Sequence, residues 1–153
     1  MPKQRVYMMI GLPGAGKDTW IKNTFGEYEY VVSRDAIRAE LGMCGKDDKI
    51  AGDNRQEKIV TWEFNKKLIQ YLKTGNDVII NNTNLKRKYR NAFKNLLKDF
   101  DVEWVYVVIK APSIEENIRR RQSQIPGDVI RRMNDGFQYP DENEYDDIVV
   151  IQQ

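Results

Sequence analysis

The sequence contains no histidine and a single cysteine, Cys44, among its 153 residues. Each absence removes a class of chemistry. One cysteine builds no disulfide framework, and without histidine it builds no Cys/His zinc site. Ser-His and Cys-His nucleophile systems are excluded as well, so the expected general base is Asp or Glu. No apolar run approaches the ~20 residues needed to cross a bilayer, and the N-terminus lacks a signal-peptide core; the expectation is a cytoplasmic protein with no membrane partner. Net charge is scarce too. Against 25 Lys and Arg stand 23 Asp and Glu, leaving +2, so any nucleic-acid contact must come from a local basic patch. The length suits one domain with its own core, and no repeat or linker divides it.

What the sequence does have is a glycine-rich loop. The apolar run Val6-Tyr7-Met8-Met9-Ile10 leads into Gly11-Leu12-Pro13-Gly14-Ala15-Gly16-Lys17-Asp18-Thr19, and then into the helix-like Thr19-Trp20-Ile21-Lys22. In a strand–loop–helix of this kind, the P-loop, backbone N–H groups wrap a β-phosphate. The helix N-terminus adds positive potential, and the lysine reaches the β- and γ-phosphates. Gly11, Pro13, Gly14, Ala15, Gly16, Lys17, Asp18 and Thr19 are therefore candidates for holding ATP or GTP. The G-x-x-x-x-G-K-[ST] pattern breaks only at Asp18, where the hydroxyl ligand of Mg²⁺ normally stands. Asp18 and the next hydroxyl, Thr19, are the candidate metal residues.

Beyond the loop, Trp20, Ile21, Thr24 and Phe25 make a helical stripe that ends at Gly26. Tyr28 to Ser33 reads as a strand. It runs into Ser33-Arg34-Asp35-Ala36-Ile37-Arg38, which places Asp35 at a strand-to-helix junction and Arg38 one turn later. Residues 43–52 read as a loop, and Asp53 with Gln56 as a capping pair. The following helix carries Val60, Phe64, Leu68 and Tyr71 or Leu72, with Trp62 and Phe64 expected in the core. Val78-Ile79-Ile80 is a third strand, emptying into Asn81-Asn82-Thr83-Asn84. Leu85 to Phe100 reads as a helix with Tyr89, Phe93, Leu96 and Phe100 inward. Lys86, Arg87, Lys88, Arg90, Lys94 and Lys98 then lie on its surface, either as a solvated face or as a nucleic-acid contact.

Trp104 to Ile109 is a strand buried on both faces. A capping box at Ser113 and Glu116 opens a helix that ends in Arg119-Arg120-Arg121 and breaks near Pro126-Gly127. Another helix covers Val129 to Gly136, followed by the acidic stretch Asp141 to Asp147 and a last strand, Ile148 to Ile151. This alternation predicts an α/β fold, a P-loop NTPase three-layer sandwich. Its sheet would be mostly parallel, of four to five strands, with helices on both faces. One domain would span residues 1–153, with an arginine-bearing lid around 113–127. Ligands bind at the carboxyl ends of such strands, where Gly11 to Thr19, Ser33 to Arg38 and Asn81 to Asn84 would converge.

Phosphoryl transfer depends mainly on positioning and charge stabilisation. Lys17 and the loop amides would hold the donor phosphates. Asp35 would orient and deprotonate an acceptor hydroxyl, or merely cap its helix. Arg38 would meet a phosphate on the acceptor, or form a surface ion pair. Arg119, Arg120 and Arg121 would close over the transferring group, or remain a solvated run.

In register, Gly11 to Trp20, Ser33-Arg34-Asp35-Ala36-Ile37-Arg38 and Asn81-Asn82-Thr83-Asn84-Leu85 resemble the kinase domain of phage-type polynucleotide 5′-hydroxyl kinases. So does the pattern Ile125-Pro126-Gly127-Asp128-Val129-Ile130-Arg131-Arg132-Met133 with Phe137, Pro140 and Tyr145-Asp146. The resemblance covers nearly the whole chain and implies ATP and Mg²⁺ as cofactors. It implies Lys17, Asp35 and Arg119 as catalytic residues, with Arg119, beside Arg120, over the donor phosphates and Asp35 as base on the 5′-hydroxyl. Arg38 would bind the phosphate 3′ of the acceptor nucleoside, while Arg34, Asn82, Thr83 and Asn84 would help hold the acceptor. The substrate implied is a 5′-hydroxyl nucleic acid or nucleotide.

Three departures stand out: Asp18, Asn81 and Asn82 in place of an acidic residue, and Ser123 where a second lid arginine falls. The residues alone leave two other readings open. One is a kinase of a mononucleotide or other small metabolite; the other is a nucleotide-binding module without catalysis.

Overall fold

The computed structural model describes residues 3–42, 54–122 and 124–153. The expected loop over 43–52 with Cys44, the Asp53 cap and Ser123 lie outside the described residues. Five strands form one sheet: β1 (Gln4–Ile10), β2 (Val31–Val32), β3 (Val78–Asn81), β4 (Val102–Lys110) and β5 (Asp147–Gln152). Their order is β2-β3-β1-β4-β5 and every pairing is parallel. β1 thus sits at the centre, with Met8 opposite both Ile80 and Tyr106.

The sheet is buried on both faces because the strands carry apolar residues at successive positions. Val6, Met8 and Ile10 face one core with Ile80, Tyr106 and Val108, while Met9 faces the other with Ile79, Val107 and Ile109. Helix α3 (Asn54–Lys73) covers the first face through Val60, Phe64, Leu68 and Leu72, beside α4 (Arg87–Leu96) with Phe93 and Leu96. Helix α1 (Lys17–Phe25) covers the second through Trp20, Ile21 and Phe25. The architecture is the α/β three-layer sandwich. Each fully buried aliphatic or aromatic side chain contributes roughly 1.5–3 kcal/mol, so the two cores dominate its stability.

Three expectations need correction. The second strand is only Val31–Val32; Tyr28 and Tyr30 instead join a chain of ring contacts from Trp20 through Phe25 to Tyr71. Trp62 is 62% exposed, with the Lys66 ammonium 5.0 Å from its ring centre, whereas Phe64 is buried as expected. Along α4 and the turn after it Phe93, Leu96 and Phe100 pack inward as expected, but Tyr89 lies outside and its neighbour Arg90 is fully buried in its place.

A buried guanidinium needs a counter-charge and filled donors, and the acidic stretch after Pro140 supplies both. Arg90 donates to Glu144 at 2.9 Å, to Asn84 O at 2.9 Å and to Gln138 O at 2.8 Å. Glu144 is itself held by Asp141 N–H in a capping box of the short 3-10 helix Glu142–Glu144. Arg87 and Lys94 reach the same carboxylate and its carbonyl. Much of the expected basic face is therefore internal wiring.

Candidate active site

The loop after β1 is anchored to the segment that follows β3: Gly11 N–H donates to Thr83 O at 3.0 Å. Gly14 and Gly16 take φ of +79° and +106°, a left-handed region that side chains other than glycine enter only with strain. Gly16 then caps α1, with Lys17 as the first helical residue. The Lys17 side chain folds back on its own loop, donating from Nζ to Gly11 O at 2.7 Å and Leu12 O at 3.0 Å. The residue is half-buried, but its ammonium is enclosed, and desolvation lowers its pKa from 10.5 to about 8. Asp18 and Asp35 pull it up by charge, while Arg121 pushes it further down.

A cavity of about 660 Å³ opens in front of this loop. On the donor side it is lined by Pro13, Gly14, Gly16, Lys17, Asp18 and Thr19; Gly11 and Ala15 lie behind them. A second, mostly apolar cavity of about 250 Å³ sits at the back of the loop among Leu12, Ile109, Asn117 and Phe137, and no Asp, Glu or Arg lines it.

The far wall of the large cavity is helix α2 (Arg34–Glu40) and the end of β3. Ser33, not Asp35, caps α2, its hydroxyl accepting from Ala36 N–H at 3.0 Å. This leaves the Asp35 carboxylate free of the capping role, 89% exposed and paired with Arg38 at 2.9 Å. Arg34 does not pair with its neighbour Asp35. Together with Arg38 it turns to Glu57 on α3, where the contacts are 2.5 and 3.1 Å. Burial alone would raise the Glu57 pKa, but the hydrogen bonds from Arg38 and Arg34 hold it below the usual carboxylate range.

Asn82 accepts from Arg34 N–H at 2.9 Å and, with Thr83, lines the cavity. Asn84 does not: it is buried at φ +49°, donating to Met9 O at 2.7 Å and accepting from Arg90. The αL turn there aims its amide into the fold, away from the cavity.

The three arginines closing α5 (Ile114–Arg121) part company. Arg119 is 67% exposed and bound to Glu116, outside the cavity lining; Arg120 and Arg121 line it. Glu116, hydrogen-bonded by Arg119 and Arg120, has its pKa pulled down to about 2.

Helical geometry explains the split, since consecutive residues differ by about 100° around the axis. Glu57 and Asn81, which donates to Asp18 at 2.7 Å, are the site residues that the sequence did not single out for a role, while Arg121 was named only together with Arg119 and Arg120. Glu57 carries no local signal, because only the α2–α3 packing brings it to the arginines. Asn81 showed itself as a departure from the acidic residue of relatives, and Arg121 as one of three indistinguishable neighbours.

Residues 6–140 match the family model described as an AAA domain. A curated relative, an L-seryl-tRNA(Sec) kinase of Methanococcus maripaludis, is 29% identical over 147 residues, which cover 87% of this chain and 52% of that protein. The chain thus spans about half the length of the curated relative it matches. Among solved structures, a chain of the Pnkp1/Rnl/Hen1 RNA repair complex superimposes with a TM-score of 0.73 at 20% identity, over 91% of this chain and 45% of that one. A sugar kinase from Janibacter sp. HTCC2649 gives 0.64 at 18% identity, over 99% and 86%. At such identities the likeness is one of fold. No helix among the described residues is long and apolar enough to cross a membrane.

Proposed function

The chain belongs to the AAA-domain family, and from that premise we propose that it is an ATP-dependent phosphotransferase acting on the 5′-hydroxyl of a polynucleotide. One observation carries the reading. Across a single cavity the phosphate loop with Lys17 faces an exposed carboxylate, Asp35, flanked by Arg38, which Asp35 shares with the half-buried Glu57. That is a donor cradle opposite a base and an anion-binding cation.

The loop amides take the donor phosphates, and Lys17 exchanges its two carbonyl partners for phosphate oxygens, which stabilise its charged form. Asp35 accepts the acceptor hydroxyl proton as the new O–P bond forms and the bond to the leaving diphosphate breaks; the proton then passes to solvent. Arg38 releases Asp35 to take a phosphate on the acceptor, while Glu57 keeps its guanidinium in plane. The donor set beside the loop fits a hard cation: Asp18 supplies a carboxylate and Thr19 an exposed hydroxyl, and the Asn81 amide holds the former in place. These residues would hold Mg²⁺, which when bound neutralises phosphate charge.

The test is transfer from labelled ATP to 5′-hydroxyl oligonucleotides, DNA and RNA, by the protein and by Asp35→Ala. Transfer should fall roughly 10²–10⁴-fold in the variant. Unchanged transfer in the variant, or none in the protein, refutes the reading.

A second acceptor, a mononucleotide or other small metabolite, is favoured by the local charge. Arg34 and Arg38 are already balanced by Asp35 and Glu57, so the acceptor wall carries little net positive charge for a long polyanion. Activity that rises with oligonucleotide length and falls steeply with salt excludes this reading, because only an extended phosphate chain produces that slope.

A further inference from the structure

We propose that Arg121, and not Arg119, is the arginine that meets the transferring phosphoryl group; this assignment rests on the phosphotransferase reading above. Each of the three consecutive arginines has a different set of commitments. Arg119 lies outside the cavity and is held by both oxygens of Glu116. Arg120 reaches the loop with all three of its nitrogens engaged, donating to Gly14 O at 2.9 Å, Gln153 Oε1 at 3.0 Å and Glu116 at 3.1 Å. It is a strap that ties α5 to the loop backbone.

Arg121 is different. Its stem lies directly over the loop, so close that a Cβ on Gly14 would meet its Cγ at 3.0 Å. It lines the same cavity as Lys17, Asp18 and Asp35. Its Nε is buried without a hydrogen-bond partner, a state that costs free energy until an acceptor arrives. It also stands near enough to Lys17 for the two cations to repel each other.

Lys17 and Arg121 line one cavity, and the Arg121 Nε, shielded and unpaired as it stands, is satisfied when the side chain turns to an anion held between the two cations. In a phosphoryl transfer that anion is the γ-phosphoryl group, with Lys17 on one side and Arg121 on the other. Arg119 would have to leave Glu116 and turn around the helix to reach the same point.

The proposal makes a demand that acceptor chemistry does not affect. Aluminium fluoride completes ADP to a mimic of the transferring phosphoryl group, and Arg121 should strengthen that complex selectively. ADP affinity is measured with and without aluminium fluoride, in Mg²⁺, for the protein and for Arg121→Ala, Arg121→Lys and Arg119→Ala, with thermal melts to confirm folding. Arg121→Ala should lose most of the tightening due to aluminium fluoride, and roughly 10²–10³-fold in transfer rate, while ADP affinity changes far less; Arg121→Lys should recover part of both.

If Arg119→Ala abolishes the tightening and Arg121→Ala retains it, the proposal is overturned. It is overturned equally if the protein itself shows no tightening. If the protein transfers phosphate to no oligonucleotide yet shows a tightening that depends on Arg121, the acceptor reading fails and the assignment of Arg121 stands.

Discussion

Replacing Lys17 by Met should make the protein's stability respond less to rising pH, by an amount the site dictates. In the folded protein without nucleotide the ammonium is enclosed by its own loop, with Arg121 adding repulsion and Asp18 and Asp35 relieving part of it. Its pKa falls from 10.5 to about 8, which corresponds to about 3 kcal/mol spent on keeping the group charged at neutral pH. Below pH 8 both the folded and unfolded chains hold the proton, and the full cost is present. From about pH 8 to 10.5 only the unfolded chain holds it, so stability rises with pH across that window. Integrating the linkage from pH 7 to 9.5 gives about 2 kcal/mol gained by the wild type relative to Lys17→Met, with other titrating groups cancelling in the difference.

The assay is urea unfolding followed by tryptophan fluorescence at several pH values, in chelator and without nucleotide. The two Gly11 and Leu12 carbonyls that lose a donor in the variant shift its curve by a constant, which leaves the slope untouched. Saturating nucleotide should flatten the wild-type slope, because phosphate oxygens restore the proton. Parallel stability curves for the two proteins, or a wild type that loses ground as pH rises, refute the reasoning.

Arg90→Ala leaves the Glu144 carboxylate charged beneath the surface without its main partner, and should cost about 3–5 kcal/mol by urea denaturation; pairing Arg90→Met with Glu144→Gln should recover a large part of the loss. Asp18→Ala should raise the Mg²⁺ concentration needed for half-maximal stabilisation by ADP at least roughly tenfold, read as a shift in thermal midpoint; an unchanged Mg²⁺ dependence would remove Asp18 from the metal site.

The sheet, its layers and the phosphate loop were legible because each leaves a local mark. Val78-Ile79-Ile80 and Trp104 to Ile109 are continuous apolar runs, and the glycines sit at fixed spacing before Lys17. What was not legible depends on which way a helix is turned once it packs. Arg90 and Tyr89 exchange faces because Glu144, 54 residues away in sequence, makes a buried guanidinium tolerable, and no window of the chain contains both. Trp62 follows the same logic in reverse: α3 fills its inward stripe with Val60, Phe64 and Leu68, leaving the larger ring outside. At the site, Asp35 and Arg38 were recognisable from their spacing, but Glu57 was not, since its role exists only through α3 lying beside α2. Asn84 sits in a polar stretch that reads as ligand-facing, and a single left-handed residue turns it inward.

The Arg90 cluster also imposes an order of events on the growing chain. Asn84, just beyond β3, is held through Arg90, whose charge Glu144 balances and one of whose N–H groups the Gln138 carbonyl fills. A chain released only as far as β4 carries the whole phosphate loop and the Asp35–Arg38 pair, yet its guanidinium has no dry place to go. Closing that long loop carries an entropic cost before any contact repays it. The rim beside the loop is therefore braced from the far end of the sequence, by residues that lie outside the cavity lining.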